Sequence, residues 1–139
     1  MKRLFFILVL AVSTFAAKAA GVDTIADLIG SNPAVVGDPC VVAGYFTAGD
    51  GGGGSFNYSL GSSSPTNFGT VFSALGGRWL RDYVDPVDIR WFGALPSAPG
   101  STNNVRFRFQ EALNHADEIL VTNGTYWVQV DVPGTAWTT

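Results

Sequence analysis

Gly44-Tyr45-Phe46-Thr47-Ala48-Gly49-Asp50-Gly51-Gly52-Gly53-Gly54-Ser55-Phe56 is the stretch on which the fold turns. Five of the six residues from Gly49 to Gly54 are glycine. So dense a run permits left-handed backbone and close chain approach, and it favours neither helix nor strand. Apolar residues flank it on both sides. Cys40 to Phe46 reads as a strand before it and Ser55 to Tyr58 as a strand after it. Gly49-x-Gly51-x-x-Gly54 matches the spacing of a dinucleotide loop, but that chemistry needs a helix N-terminus directly after the glycines. Ser55-Phe56-Asn57-Tyr58 is strand-like instead, and no Lys-Ser or Lys-Thr follows to make a phosphate loop. The glycines are structural.

The same punctuation continues outward. Gly61 to Asn67 is a polar loop, Thr70 to Ser73 a further strand, and Gly76-Gly77 a turn into a strand over Arg78 to Tyr83. Asp85-Pro86 leads into Val87 to Phe92. Upstream, Asp23 or Thr24 caps a short helix with Ile25, Leu28 and Ile29 on one face and Gly30 at its end. Downstream of a Pro, Ser, Gly and Asn loop, Val105, Phe109, Ala112 or Leu113, and Ala116 recur at helical spacing, which predicts an amphipathic helix over Asn104 to His115. Phe107 falls off that stripe. Glu118 to Thr122 and Thr125 to Val130 read as strands around Asn123-Gly124, either a hairpin or a corner between successive parallel strands.

The amino terminus reads as an export signal. Lys2 and Arg3 precede an apolar run from Leu4 to Val12, and Ala17-Lys18-Ala19 supplies a small-x-small cleavage pattern between Ala19 and Ala20. The run is too short for a spanning helix, which needs about 20 apolar residues. The expected location is therefore secreted or periplasmic, with no membrane attachment after cleavage. Loss of Lys2, Arg3 and Lys18 leaves five arginines against 11 acids, a net charge of −6. An acidic chain without a basic stripe has no footprint for nucleic acid or for an anionic membrane surface. Cys40 is the only cysteine, so no internal disulfide forms, and its apolar surroundings predict a buried inert thiol.

Few residues suggest chemistry. Asp50, Asp82, Asp85 and Asp88 invite a calcium or paired-carboxylate reading, but turn acids solvated by water explain them more simply. His115, the only histidine, lies where the last carbonyls of a helix favour an imidazolium. Trp79 and Trp91 are expected in the core, with exposed aromatic platforms as the alternative. Asn57-Tyr58-Ser59 and Asn123-Gly124-Thr125 match the glycosylation sequon without further support.

The glycine stretch, Asn67-Phe68-Gly69-Thr70-Val71, Gly77-Arg78-Trp79-Leu80-Arg81 and Val87-Asp88-Ile89-Arg90-Trp91-Phe92-Gly93-Ala94 together resemble the start of pectate-lyase-superfamily and phage tailspike-like proteins. Gln110-Glu111-Ala112-Leu113-Asn114 and Gly124-Thr125-Tyr126 extend the resemblance. Pro96 to Thr102 replaces the family's Gly-Asp-Gly segment, and Asn103-Asn104 stand where its acids would be, leaving asparagine to cap the helix. The resemblance implies a mainly β fold, in which a small antiparallel β meander with short helices leads into the first coil of a right-handed parallel β-helix. It divides the chain into a signal peptide (1–19), a meander or capping module (20–94), and a linker, helix and incomplete start of the β-helix (95–139). Gly49, Asp50, Gly51, Gly54, Trp79, Trp91, Phe92, Gly93, Gly124 and Tyr126 are its structural motif residues. The family's catalytic groups lie on later coils, so no catalytic, cofactor or metal residue is assigned, and calcium is at most an outside candidate. A coil stack needs about three units to bury its core, so the chain is expected to be the opening of a longer protein. Polysaccharide is the implied partner and a homotrimer the implied assembly.

Overall fold

The computed structural model describes residues 20–31, 37, 39–96 and 105–128. Residues 1–19, where a signal segment is expected, and the tail beyond 128 lie outside the described residues. Five strands form one mixed sheet: β1 (Ala20–Val22), β2 (Pro39–Val42), β3 (Gly54–Leu60), β4 (Val71–Ala74) and β5 (Gly77–Asp82), in the order β1-β2-β3-β5-β4. The last four strands pair antiparallel, as a meander should, but β1 adds in parallel to β2 with Ala20 opposite Cys40. That departs from the all-antiparallel expectation. The connection between β1 and β2 includes α1 (Ile25–Gly30), and a crossover of that kind returns the chain in the same direction.

α1 is capped as its sequence predicts. Thr24 Oγ1 accepts from the Asp27 amide at 3.2 Å, and the Asp27 carboxylate accepts from the Thr24 amide at 3.0 Å, a reciprocal capping box. Ile25 and Leu28 are buried, whereas Ile29 is 44% exposed and leaves the predicted face. Ser31, not Gly30, closes the helix.

Alternation decides what the sheet buries. On β3, Phe56 and Tyr58 point inward, and on β5, Gly77, Trp79 and Arg81 do. Phe56, Tyr58, Phe72 and Trp79 pack with Ile25, Leu28, Cys40 and Val42 into the first core. Phe56 meets Phe72 edge-on at 5.7 Å. Burial also raises the pKa of the Cys40 thiol, which suits an inert role.

The predicted strand over Val87 to Phe92 is extended only at β6 (Val87–Asp88). Ile89–Phe92 then forms a 3-10 turn, because the Asp88 carboxylate accepts from the Arg90 amide and Gly93 closes the turn in the left-handed region at φ 79°. α2 (Arg106–His115) follows, and β7 (Ile119–Leu120) pairs in parallel with β6. The helix cap is Val105, which makes no side-chain capping bond; Asn103 and Asn104, expected to cap the helix, lie outside the described residues. Residues 121–128 form no strand, so Asn123-Gly124 makes neither the hairpin nor the corner between strands among the described residues; the parallel pairing that forms joins β7 to β6 across α2. Gly124 packs against Pro96, where an added Cβ would come within 2.5 Å of Pro96 Cβ.

A second core lies beneath this crossover. Val87, Ile89, Phe92, Ala94, Val105 and Ala112 are buried, with Phe109, Ala116 and Tyr126 packed against them. The predicted helical stripe is therefore met at Val105, Phe109, Ala112 and Ala116. Leu113 and Phe107 point outward at 56% and 53% exposure.

Candidate functional site at the junction of sheet and crossover

The polar groups of the chain gather where the two cores meet. The Asp50 carboxylate organises the glycine loop by accepting four backbone N–H bonds. Oδ1 receives Tyr45 and Gly52 at 2.8 and 2.9 Å, and Oδ2 receives Phe46 and Thr47 at 2.8 and 3.0 Å. Burial acts to raise the Asp50 pKa, but these backbone donors outweigh it and hold the carboxyl below its usual value. Asp50 is thus a loop organiser and not the water-solvated turn acid expected from sequence. Its loop brings Gly51 against the Arg90 guanidinium and Gly52 against Tyr45 and the Arg90 carbonyl, with no room for a side chain at either position.

Arg81 is the centre of the junction. Strand alternation carries it to the core face of β5, where it is only 7% exposed. Its guanidinium donates to the carbonyls of Gly53 at 2.6 Å, Gly52 at 2.9 Å and Gly69 at 2.9 Å. It lies 4.5 Å from the Phe56 ring centre and 4.9 Å from that of Trp91. Burial pulls its pKa down to about 10 while Asp88 and Tyr45 act the other way, so it is charged at neutral pH. Gly54 is required here because a Cβ would strike the guanidinium. Asp88, expected in a solvated turn, is 4% exposed and paired with Arg90 at 2.5 Å, and this hydrogen-bonded pairing raises the Arg90 pKa.

A third arginine ties α2 to the loop. Arg108 donates to the Tyr45 hydroxyl at 3.1 Å, and that hydroxyl donates to the Phe68 carbonyl at 3.1 Å. Phe68, at φ 62°, is the only non-glycine residue with positive φ among the described residues. Its ring meets Phe107 edge-on at 5.5 Å, and these two half-exposed rings flank Arg108, while exposed Phe46 packs on Tyr45.

His115 does not merely end its helix. Its ring reaches Asn67 Nδ2, Thr70 Oγ1 and the Tyr83 hydroxyl at 3.0, 2.9 and 3.1 Å. Beside it a cleft of about 360 Å³ is lined by Tyr83, Asp85, Ala116, Asp117 and Glu118. Among the described residues no group of three or more His, Cys, Asp or Glu side chains is placed to hold a metal ion. None of their helices is long and apolar enough to cross a membrane.

The motif residues distribute accordingly. Gly49, Asp50, Gly51 and Gly54 shape the loop, while Trp91, Phe92 and Gly93 build the turn beneath it. Trp79 is buried in the first core, away from the junction, and Trp91 is only partly buried, held against Arg81 and the Tyr83 ring. Tyr126 packs on Phe109 and bonds Thr122, on the far side of α2. Sequence reading passed over Arg81, Arg90 and Arg108 as scattered charges. The available signal was an arginine in phase with Trp79 on the inward side of a strand.

Comparison with known proteins fits this architecture. Residues 21–84 match the family described as the phage tail protein small four-stranded β-sheet domain. The four antiparallel strands β2 to β5 lie within that span. The enzymatically active domain of bacteriophage CBA120 tailspike protein 2 superposes with a TM-score of 0.56 at 31% identity, over 70% of this chain and 14% of that one. The tailspike protein of Acinetobacter baumannii phage AM24 gives 0.54 at 28% identity, over 66% of this chain and 15% of that one. Pantoea stewartii WceF is described as a glycan biofilm modifying enzyme with a bacteriophage tailspike-like parallel β-helix fold. It gives 0.55 at 21% identity, over 66% of this chain and 13% of that one, a likeness of fold alone. No curated protein matches the chain. The chain is thus similar to tailspike proteins and spans a small part of their length.

Proposed function

We propose that this chain is the non-catalytic lead-in module of an exported, polysaccharide-active β-helix protein of the pectate-lyase-superfamily type. The observation that carries the reading is the parallel pairing of β6 with β7 across α2. Parallel stacking over a buried apolar floor is how a coil solenoid propagates, and here Arg81 of the mixed sheet lies against the Trp91 ring in the turn that precedes α2. In this reading the sheet caps the coil stack, and polysaccharide cleavage belongs to coils after the crossover. Export through the 1–19 signal delivers the protein to the periplasm or beyond it.

The test is to read the coding sequence in frame past Thr139 and express the whole product with and without residues 20–96. Coil-length periodicity downstream, with depolymerising activity retained by any folded shortened protein, supports the reading. Activity that vanishes while the β-helix stays folded would overturn the non-catalytic assignment. Mass spectrometry of the exported protein should place its first residue at Ala20.

A second reading, an attachment or trimerisation segment of a tailspike-like protein, is favoured by the phage-tail match over residues 21–84 and by the exposed Phe46, Phe68 and Phe107 face. Light scattering separates the two: a trimer that Phe68→Ser dissociates favours attachment, and a monomer favours the lead-in role. A free-standing sugar-binding module is the weaker alternative, because Trp79 is buried and Trp91 is committed to Arg81.

A further inference from the structure

Hydrogen-bond logic around His115 assigns its protonation state. Asn67 Oδ1 accepts three backbone N–H bonds, from Gly69 at 3.1 Å, Thr70 at 2.9 Å and Val71 at 3.0 Å. A flipped amide would set its NH2 group against three N–H donors, so the orientation is determined by the network. Asn67 Nδ2, a donor only, therefore faces His115 Nδ1 at 3.0 Å and Thr70 Oγ1 at 2.8 Å. Nδ1 must accept. The ring is then the neutral form with its hydrogen on Nε2, directed at Thr70 Oγ1 and the Tyr83 hydroxyl.

We propose that His115 is a pH-operated latch between the sheet and α2, closed by the neutral imidazole and released by the imidazolium. A proton on Nδ1 would point at the Asn67 amide donor, and that contact cannot survive without the ring moving. The cleft supplies the place it moves to. Asp85 enters it from the segment after β5, and Asp117 and Glu118 from the segment after α2. Tyr83 lines the same cleft, and the Phe92 ring centre lies 6.1 Å from that of His115. Every ionisable neighbour lining the cleft is thus a carboxylic acid or the Tyr83 phenol. An imidazolium that leaves Asn67 gains acceptors from the carboxylates, whereas a neutral ring is better served by Asn67 and Thr70. Asn67 and Thr70 suit one charge state of the ring and the cleft carboxylates the other, which makes the ring a two-state element. Opening releases the C-terminal end of α2 from the loop that begins β4, while the apolar contacts of the second core remain.

His115 is the only histidine, so 15N-histidine labelling of the full chain gives one imidazole and no assignment problem. The experiment is a pH titration of that ring by NMR, followed alongside the Trp91 indole signal and amide exchange in α2. The Nε2–H tautomer is expected at pH 8. On acidification the imidazolium should appear at the same midpoint as a Trp91 shift, and amide protection near the C-terminal end of α2, after correction for the intrinsic pH dependence of exchange, should fall roughly tenfold. Gln can both accept and donate, so His115→Gln should remove the pH step. Asn67→Asp should reverse it, because the aspartate keeps the three backbone bonds and accepts from a protonated Nδ1. An Nδ1–H tautomer at pH 8, an imidazolium that forms without change at Trp91 or in α2, or a pH step that persists in His115→Gln would each overturn the latch. If either variant fails to fold, the co-titration in the unaltered chain decides alone.

Discussion

Replacing Arg81 tests whether the junction is held by one buried cation. In Arg81→Met the carbonyls of Gly52, Gly53 and Gly69 lose their donor. The bonds to Gly52 and Gly69 are buried, and an orphaned buried carbonyl costs about 1–3 kcal/mol. The contacts with Phe56 and Trp91 contribute about 1 kcal/mol more. Against these losses stands relief from burying a charge. A pKa drawn down to about 10 by burial places that relief at about 3 kcal/mol. The opposing effects leave a net destabilisation of about 2 kcal/mol, which in urea shifts the unfolding midpoint by about 1 M for a domain of this size. Arg81→Lys should do no better, because an ammonium retains the burial cost but lacks the planar fork that spans three carbonyls. Urea titration followed by tryptophan fluorescence reads both variants. A midpoint unchanged in Arg81→Met, or full stability in Arg81→Lys, would refute the assignment of Arg81 as the junction's organiser.

Three further substitutions and one labelling experiment probe the rest of the structure. Gly69→Ala should cost about 2 kcal/mol or more in chemical denaturation, since its Cβ would lie 2.5 Å from Cε1 of the fully buried Phe92 ring, a rigid neighbour. Gly93→Ala combines a left-handed φ of 79° with a Cβ contact 2.7 Å from the Tyr45 ring, and a loss of about 2 kcal/mol should appear as a lower Tm. Asp50→Asn should lose about 2 kcal/mol at neutral pH, because the amide NH2 would face N–H donors. The folded Asp50 pKa lies below its ordinary 3.8, so its contribution is present above that value and is lost as pH falls through the lower folded one. The variant's stability profile should therefore be flatter than the parent's in acid, and equal slopes would contradict the loop assignment. Cys40 should resist thiol reagents in the native protein and react once urea unfolds it; rapid native labelling would show that the sheet does not protect it.

Much of the architecture was legible in residues alone. The strand over Ser55 to Tyr58, the helix cap at Thr24, and the helical recurrence of Val105, Phe109, Ala112 and Ala116 all depend on local spacing, and each appears as read. Glycine at 51, 54 and 93 marked places where backbone or a side chain comes close, although the partners could not be named in advance. What sequence could not supply were contacts between segments distant along the chain. The role of Arg81 was not legible because the carbonyls that receive it come from residues 12 to 29 positions away. The parallel placement of β1, the 3-10 turn after Asp88 and the pairing of β7 with β6 across α2 are settled by which partners lie alongside. His115 illustrates the division most plainly. Its position at a helix end is local and was foreseen, but its bonds to Asn67 and Thr70 span 48 and 45 residues. Spacing along the chain therefore determined the elements and their apolar faces, because periodicity and capping act over a few residues. Only the tertiary structure decided which polar groups meet, because buried hydrogen bonds are satisfied by whichever donors and acceptors packing brings within reach.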